Sequence, residues 1–223
     1  MACKALIPYF FTILTRSSGR FWWAYCQLEY LCKCLPGRIL YALDELPETL
    51  DATYERTLQE IDGTNWEFAR RLLLCVAVVS RPLRVEELAE CLTLEFKTGP
   101  IPKYREDWRP EDSVDAVLSA CSTVLVLVNV DGSQIIQFSH SSVKEFLTSS
   151  RFAEKGNIIS RQYHISMTSA HTLVAQACLG ILLSLDEIIT RDDLDKFHSL
   201  NTLPSIGLST PVLKMCRKTR LQR

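Results

Sequence analysis

Hydrophobic and polar positions follow a helical period over most of the 223-residue chain. The apolar residues of segments 21–34 and 38–45 predict two helices, and the pair Pro36-Gly37 interrupts the pattern between them. An apolar stripe at spacings of three and four residues then predicts a third helix, with Asp51 as its N-cap. The N-terminal part of the chain is therefore expected to be helical.

The same period continues after residue 63. Thr64 and Glu67 have the spacing of a capping box, which predicts that a helix begins there and ends before Pro82. Apolar positions over 85–92 keep the rhythm of an amphipathic helix and predict the next one.

Segment 95–112 has a different character. It is rich in proline and charged residues, which predicts an exposed loop rather than a regular element. Either Asp112 or Ser113 is expected to cap a short helix that follows the loop and ends near residue 120.

The clearest β signal lies at residues 123–139. Two runs of β-forming residues, 123–130 and 133–139, flank the pair Asp131-Gly132. This pair suits a type I′ turn, which needs a positive φ at both central positions. Helices, a hairpin and a further helix in this order are typical of a winged-helix domain. The predicted fold class is therefore mostly α: a helical segment, a winged-helix domain with one β-hairpin, and a C-terminal helix with an apolar stripe from Ala170 to Leu182.

A histidine stands where the hairpin leads into the following helix, in the passage FSHSSVKEFL of residues 138–147. Ser142 and Glu145 have capping-box spacing, so a helix is expected to begin there. The unpaired N–H groups of a helix N-terminus suit an anion such as phosphate, and His140 could add a donor. The alternative is that His140 only caps the hairpin or packs in a polar niche, which the spacing by itself favours.

Composition narrows the class of protein. Nine cysteines occur without any C-x-x-C pair, and several fall on apolar faces of the predicted helices. Buried reduced cysteines behave as small hydrophobes. This usage predicts a reducing, cytoplasmic location without disulfides or a zinc site.

Neither end of the chain predicts a membrane or a nucleic acid as partner. Residues 5–14 are mostly apolar, but Pro8 interrupts them and they are too short to span a bilayer. A buried or poorly ordered helical end is expected there instead of a signal peptide. The basic residues of 214–223 are expected to form a solvated tail.

A winged helix raises the question of DNA, and the charges argue against it. The helix that would enter the major groove contains Glu111, Asp112 and Asp115 and has no lysine or arginine. The hairpin that would be the wing carries Asp131 and no basic residue. Duplex binding requires several cations to neutralise phosphates, so no binding to nucleic acid is expected.

Motifs of the common enzyme classes are missing. The chain has no G-x-x-x-x-G-K-[ST], no G-x-S-x-G and no H-E-x-x-H. Its four histidines are too scattered to predict a metal site. We therefore expect no catalytic residues, no metal and no enzymatic activity.

Several passages resemble the region that follows the nucleotide-binding core in fungal NACHT proteins, where ankyrin repeats often come next. The resemblance runs from about residue 19 to 183, and its winged-helix module is also named after GPI inositol-deacylase. The passages that carry it are GRFWWAYCQLE (19–29), LPETLDATYERTL (46–58), RPLRVEELAE (81–90), FSHSSVKEFLTS (138–149) and YHIS (163–166).

The resemblance implies a part of a STAND-type signalling NTPase, in which a winged helix helps to close the domain that binds ADP or ATP. In the related NOD-like receptors, a winged-helix histidine contacts the ADP phosphate, and His140 matches its position. Phe138, Ser142, Glu145 and Phe146 match the neighbouring motif positions, whereas Val143 and Lys144 depart from it. His140 is thus a possible ADP phosphate sensor, with no cofactor expected for this chain in the absence of a P-loop domain.

The predicted function is that of a non-catalytic regulatory module, or a truncated paralogue, of a NACHT-type NTPase. Its expected partner is a protein or a NACHT domain in cis or in trans. The alternative is a free-standing interaction adaptor that docks through an exposed Trp22-Trp23 region or through the helix at 170–182; a DNA-binding regulator is the third class. The expected division is an unmatched segment (1–18), a helical linker domain (19–62), the winged-helix domain (63–155), a helical extension (156–185) and a divergent, flexible tail (186–223).

Overall fold

The computed structural model describes residues 8–17, 19–61, 63–97, 99, 101–121 and 124–188. Residues 1–7, the C-terminal basic cluster and most of the expected tail lie outside the described residues. The chain divides into two compact units, Met1–Glu60 and Ile61–Arg223.

The first unit is helical throughout its described elements, as expected. The predicted helices at 21–34 and 38–45 are confirmed, and a 3-10 turn lies between them. The elements are α1 (Phe10–Ser17), α2 (Phe21–Lys33), the 3-10 turn Pro36–Arg38, α3 (Ile39–Asp44) and α4 (Leu50–Gln59).

The N-cap of α4 is Thr49, so the prediction of Asp51 was wrong. The Thr49 hydroxyl oxygen accepts a hydrogen bond from the backbone N–H of Ala52 at 3.1 Å, which satisfies one of the unpaired donors of the first turn. Asp51 lies inside that first turn, where its negative charge interacts favourably with the helix dipole.

Trp23 lies in the core of the first unit, only 1% exposed, and its indole N–H donates to the carbonyl oxygen of Pro47 at 2.9 Å. Trp22 is half-buried, stacks on Tyr25 and donates to the hydroxyl of Tyr54 at 2.8 Å. The expected docking face at Trp22-Trp23 is therefore wrong, because both indoles are used within the unit. The rest of this core consists of Ile13, Ala24, Leu31, Ile39, Ala42, Leu43 and Leu46.

The second unit contains the three helices and the hairpin that the sequence predicted. The three-stranded antiparallel sheet contains, in spatial order, Leu83–Arg84, Ser133–Phe138 and Leu125–Val130. Asp131 has a φ of 48° and Gly132 a φ of 75°, as the expected type I′ turn requires. The main elements of the second unit up to the end of the hairpin are α5 (Trp66–Val78), β1 (Leu83–Arg84), α6 (Val85–Ala89), α7 (Ser113–Cys121), β4 (Leu125–Val130) and β5 (Ser133–Phe138).

Two predicted helix starts in this unit have different outcomes. Asp112 caps α7, since its Oδ1 accepts the backbone N–H groups of Val114 at 2.8 Å and Asp115 at 3.0 Å. Helix α5, in contrast, begins at Trp66 with Asn65 in the N-cap position, so Thr64 is not the cap that the sequence predicted.

Segment 95–112 contains secondary structure, which the sequence did not predict. Two short strands pair antiparallel, β2 (Leu94–Glu95) with β3 (Lys103–Tyr104), and a 3-10 turn follows at Glu106–Trp108. Arg105 holds the segment in place, because its guanidinium contacts Glu95 at 3.1 Å and Asp107 at 2.9 Å. A strand of two residues has no visible alternation, so the sequence pattern resembles a loop.

Four more helices lie in the described part of the second unit: α8 (Ser141–Thr148), α9 (Ser150–Glu154), α10 (Ile158–Tyr163) and α11 (Met167–Ile188). Helix α11 packs against α5 and β3. The apolar stripe on α11 is covered, because Ala170, Val174, Ala177 and Ile181 are buried. The expectation that this stripe is a docking face is therefore wrong; Leu182, at its end, is 39% exposed.

Within the described part of the chain, one helix has the length and apolar composition that could cross a membrane. It is the Met167–Ser184 stretch of α11. One side of this stretch packs within the second unit, as the buried stripe shows.

Candidate phosphate-contacting site at His140

The site lies at the junction between β5, which ends at Phe138, and α8, which begins at Ser141. His140 is the N-cap residue of α8, with an extended backbone (φ −155°, ψ 151°). Its carbonyl oxygen accepts the backbone N–H of Val143 at 3.1 Å. The helix thus begins near Ser142, as expected, but Ser142 lies in its first turn and is not the cap that the capping-box spacing suggested.

The imidazole of His140 caps α8. Its Nδ1 accepts the backbone N–H of Ser142 at 3.2 Å, as a serine or aspartate oxygen does at other N-caps. The Ser142 hydroxyl lies 2.6 Å from the same nitrogen. Because Nδ1 accepts, the neutral ring carries its proton on Nε2, and the Ser142 hydroxyl donates. The ring as a whole is exposed. The structure thus shows His140 as a cap, which was one of the two interpretations of this residue. The other interpretation, a contact with phosphate, stays a prediction.

The other motif residues anchor α8. Val143 and Phe146 are buried, whereas Lys144 and Glu145 are exposed. The Phe146 ring packs on Phe152, with 4.3 Å between the ring centroids. The inner face of α8 therefore fixes the helix, and with it the position of its N-terminus and of His140.

The passage YHIS also supports α8. The backbone N–H of Ile165 donates to the carbonyl oxygen of Leu147 at 2.9 Å, near the end of the helix. Tyr163 and Ile165 are both 1% exposed. His164 is half-buried beside Phe152 and His171 is exposed on α11, so neither joins His140 in a common site. Among the described residues, no group of three or more His, Cys, Asp or Glu side chains could hold a metal.

Helix α7, which would face DNA in a nucleic-acid-binding winged helix, has acidic side chains in its first turn and in the two residues before it. Glu111, Asp112 and Asp115 are exposed. At the hairpin turn, Asp131 is exposed as well. A phosphate backbone would meet like charge at both elements.

The two N-terminal passages that resemble the family contact each other, which the sequence did not predict. Gln27 of α2 and Thr53 of α4 share a buried hydrogen bond of 2.9 Å. The Arg56 guanidinium donates to the Gln27 carbonyl oxygen at 2.8 Å and lies over the Tyr30 ring. The sequence signal that could have revealed this contact is the presence of polar residues on otherwise apolar helix faces.

The passage RPLRVEELAE forms a buried ion pair. Two nitrogens of Arg81 contact the two carboxylate oxygens of Glu87, each at 2.7 Å. Glu87 also accepts the backbone N–H of Arg84 at 2.9 Å, which secures the start of α6. The passages therefore maintain the helix arrangement, and His140 is the one candidate among them for a ligand contact.

The order of the elements in the second unit agrees with the outcome of a comparison with known families. Residues 54–158 match the model of the GPI inositol-deacylase, winged helix domain. This segment, slightly less than half of the chain, is similar to that winged-helix family. The match begins at Tyr54, inside α4, and it extends through α8 and α9. His140 therefore lies within the winged-helix domain, at the start of the helix after its wing.

The chain is also similar to two fungal proteins. The chain is 28% identical over 144 residues to azaphilone pigments biosynthesis cluster protein L of Monascus ruber, which covers 63% of the chain and 29% of that protein. It is 24% identical over 151 residues to vegetative incompatibility protein HET-E-1 of Podospora anserina, covering 66% of the chain and 10% of that protein. No solved structure matches.

The chain thus corresponds to less than a third of the length of either of these relatives. The matches confirm the expected resemblance to a NACHT-associated region of fungal proteins and the mostly α fold with a winged helix.

Proposed function

We propose that this chain is a non-catalytic regulatory module of a NACHT-type signalling NTPase, and that it stabilises the closed, nucleotide-bound state. The observation that supports this role best is the position of His140 as an exposed N-cap at the first turn of α8. The winged-helix family and the fungal relatives agree with such a setting.

The chemistry proposed for His140 is that of a donor to an anion. Its Nδ1 is turned toward the backbone of α8, so Nε2 is the nitrogen that carries the proton. The nearby N-terminus of α8 adds a partial positive charge, which favours a phosphate group. The nucleotide itself would be held by a P-loop domain in cis or in trans, and the winged helix would add a contact that exists only in the closed state.

The test uses a protein in which this region accompanies its nucleotide-binding domain. His140→Asn keeps a good N-cap but removes Nε2, whereas His140→Ala removes both the cap and the donor. We expect both variants to release ADP faster than the unchanged protein, and only His140→Ala to lower the melting temperature. His171→Ala, which changes an exposed histidine of α11, is the matched control. If His140→Asn retains ADP as well as the unchanged protein does, His140 is only a cap.

A second candidate function is a free-standing interaction adaptor. Among the described residues of the first unit, four large hydrophobic side chains are each more than 70% exposed: Phe11 (76%), Phe21 (79%), Leu35 (79%) and Tyr41 (71%). Exposed apolar surface of this kind is typical of protein interaction sites. The adaptor function predicts self-association of the isolated chain, measured by light scattering, and a clean monomer at high concentration would contradict it.

Two further proposals concern the cellular location of the module and its binding to DNA. We propose that the module acts in the cytoplasm and does not bind duplex DNA. The acidic surface of α7 supports the second statement, which a salt-dependent shift of labelled duplex in a gel would contradict.

A further inference from the structure

Two cysteines of the second unit lie side by side in its core. Cys75 is on α5 and Cys91 is in the 3-10 turn Glu90–Thr93. Their sulfur atoms are 3.5 Å apart, although the residues are sixteen positions apart in the sequence. Cys75 has no exposed surface, and Cys91 is 6% exposed.

We propose that Cys75 and Cys91 are a latent disulfide, which hydrogen peroxide converts into a cross-link between α5 and the turn that follows α6. A disulfide requires a separation of about 2.05 Å, so the two sulfur atoms must approach each other by about 1.5 Å. Both residues are already in contact through a hydrogen bond between the thiols. Rotation of the side chains and a small shift of the short turn are sufficient for such an approach.

The reaction begins at Cys91, because this residue, at 6% exposed, is the less buried of the two. The Cys91 sulfur attacks one oxygen of the peroxide, and the O–O bond breaks. A sulfenic acid forms, and the departing hydroxide becomes water with the thiol proton. The Cys75 sulfur then attacks the Cys91 sulfur, the S–S bond forms and the S–O bond breaks. The second hydroxide leaves as water with the proton of Cys75. Two thiols lose two electrons in total, and one peroxide is reduced to two waters.

The folded protein protects the reduced pair. The hydrogen bond with Cys91, together with burial, raises the pKa of the Cys75 thiol well above its ordinary value. A thiol in this state reacts slowly with peroxide, so Cys75 is not the first to be oxidised; it acts as the second, resolving thiol because its sulfur lies 3.5 Å from that of Cys91. Peroxide is small enough to reach a narrowly exposed sulfur, whereas larger oxidants would require local opening of the turn.

The cross-link would strengthen a region that many contacts already depend on. Glu90, next to Cys91, pairs with Arg109 at 3.1 Å. The carbonyl oxygen of Thr93, two residues further on, accepts the backbone N–H of Arg105 at 2.8 Å. The turn is thus the base of the β2–β3 segment, and the disulfide would fix that base to α5.

Tryptic peptide mapping of the whole 223-residue chain tests the proposal, because Arg84 separates the two cysteines. Cleavage places Cys75 in peptide 72–84 and Cys91 in peptide 85–97. The folded protein is treated with peroxide, alkylated, unfolded and digested. We expect these two peptides to appear as one linked species that dithiothreitol separates. Absence of this species, or a link from Cys75 to Cys178 in its place, overturns the proposal.

Variants and a stability measurement complete the test. Cys91→Ser should abolish the linked species. Cys121→Ser should preserve it, since Cys121 is a buried cysteine whose thiol contacts the carbonyl oxygen of Ala69. The oxidised wild-type chain should unfold at a higher urea concentration than the reduced one, because the link restricts the unfolded chain. An unchanged or lower midpoint after oxidation would contradict a link that fits the native fold.

Discussion

The side-chain amide of Gln27 donates a hydrogen bond of 2.9 Å to the hydroxyl of Thr53, in the buried contact between α2 and α4. Gln27 is completely buried, and its carbonyl oxygen accepts the guanidinium of Arg56 at 2.8 Å. The Thr53 hydroxyl in turn donates to the carbonyl oxygen of Thr49 at 2.9 Å. A chain of hydrogen bonds thus joins the two helices inside an otherwise apolar unit, and each buried polar group in it has a hydrogen-bond partner.

Replacement of Gln27 should break this chain. In Gln27→Leu, the Arg56 guanidinium loses its acceptor and the Thr53 hydroxyl loses a donor, and we expect a loss of about 1–3 kcal/mol in the free energy of unfolding. Urea unfolding followed by circular dichroism measures the change. Gln59→Leu, at the exposed end of α4, is the matched control and should change the free energy by less than about 0.5 kcal/mol. Equal values for the two variants would mean that the buried chain contributes nothing.

The ion pair between Arg81 and Glu87 should make stability depend on pH. Burial raises the pKa of Glu87, but the hydrogen bonds from Arg81 and from the backbone of Arg84 outweigh it, so that the pKa is lowered below the ordinary value of 4.5. A lowered pKa means that the folded state binds fewer protons than the unfolded state. The stabilisation is therefore present above the unfolded pKa of about 4.3 and is lost as the pH falls through the folded pKa.

Glu87→Gln measures this contribution. At pH 7 the variant should be less stable by about 1–3 kcal/mol, because Arg81 loses a charged acceptor that is itself almost fully buried. As the pH falls below the ordinary pKa of a glutamate and through the lowered pKa of Glu87, the difference should shrink, because protonation removes the charge of the carboxylate. Glu86→Gln changes the exposed neighbour and should show neither effect. A difference that is the same at both pH values would exclude the ion pair as its cause.

Gly180 is the point of closest approach between α11 and the segment before β3. A Cβ at this position would overlap with the carbonyl oxygen of Pro102 and lie 3.0 Å from its Cγ. Alanine favours a helix by about 1 kcal/mol over glycine, but overpacking costs about 1–3 kcal/mol, so Gly180→Ala should destabilise the second unit. The midpoint of urea unfolding measures this. Gly37→Ala, where nothing lies within 4 Å of the added carbon, is the control. A stabilised Gly180→Ala variant would show that α11 is not held this closely.

The helices and the hairpin could be predicted because their signals are local. The period of the apolar residues identified α2, α5 and α11, and the Asp131-Gly132 pair identified the turn together with its positive φ angles. Each of these features depends on residues within a few positions of one another. The position of His140 at the mouth of a helix was predictable for the same reason.

The errors concern features that depend on the tertiary structure. Trp23 is buried. Its exposure was mispredicted because the sequence of an aromatic-rich helix does not reveal which face of the helix turns inward. Strands β2 and β3 are held by Arg105, whose carboxylate partners come from both sides of it in the chain. At α8 the cap is His140, a residue type outside the usual N-cap set, so Ser142 was the more obvious choice.

Arg71 carries a positive charge into the interior of the second unit, and none of the described carboxylates lies at salt-bridge distance from it. It is 9% exposed, and its guanidinium donates to the carbonyl oxygen of Leu94 at 2.6 Å. The rings of Phe68 and Phe96 lie 4.4 Å and 5.2 Å from it. Burial lowers the pKa of Arg71 below its ordinary value, yet arginine stays charged at neutral pH. Its planar group thus joins the start of β2 to α5 through a hydrogen bond and aromatic contacts.

Because lysine has no planar group to place between two rings, Arg71→Lys should not be a conservative change. We expect it to lower the free energy of unfolding by about 1–3 kcal/mol, since the Leu94 carbonyl loses its donor or binds a more strongly hydrated ammonium. Arg70→Lys, at the half-buried neighbouring position on α5, should cost less than about 0.5 kcal/mol. Chemical unfolding of both variants decides the matter. If Arg71→Lys is as stable as Arg70→Lys, charge alone is what this position requires, and the geometry of the guanidinium contributes nothing to the attachment of β2.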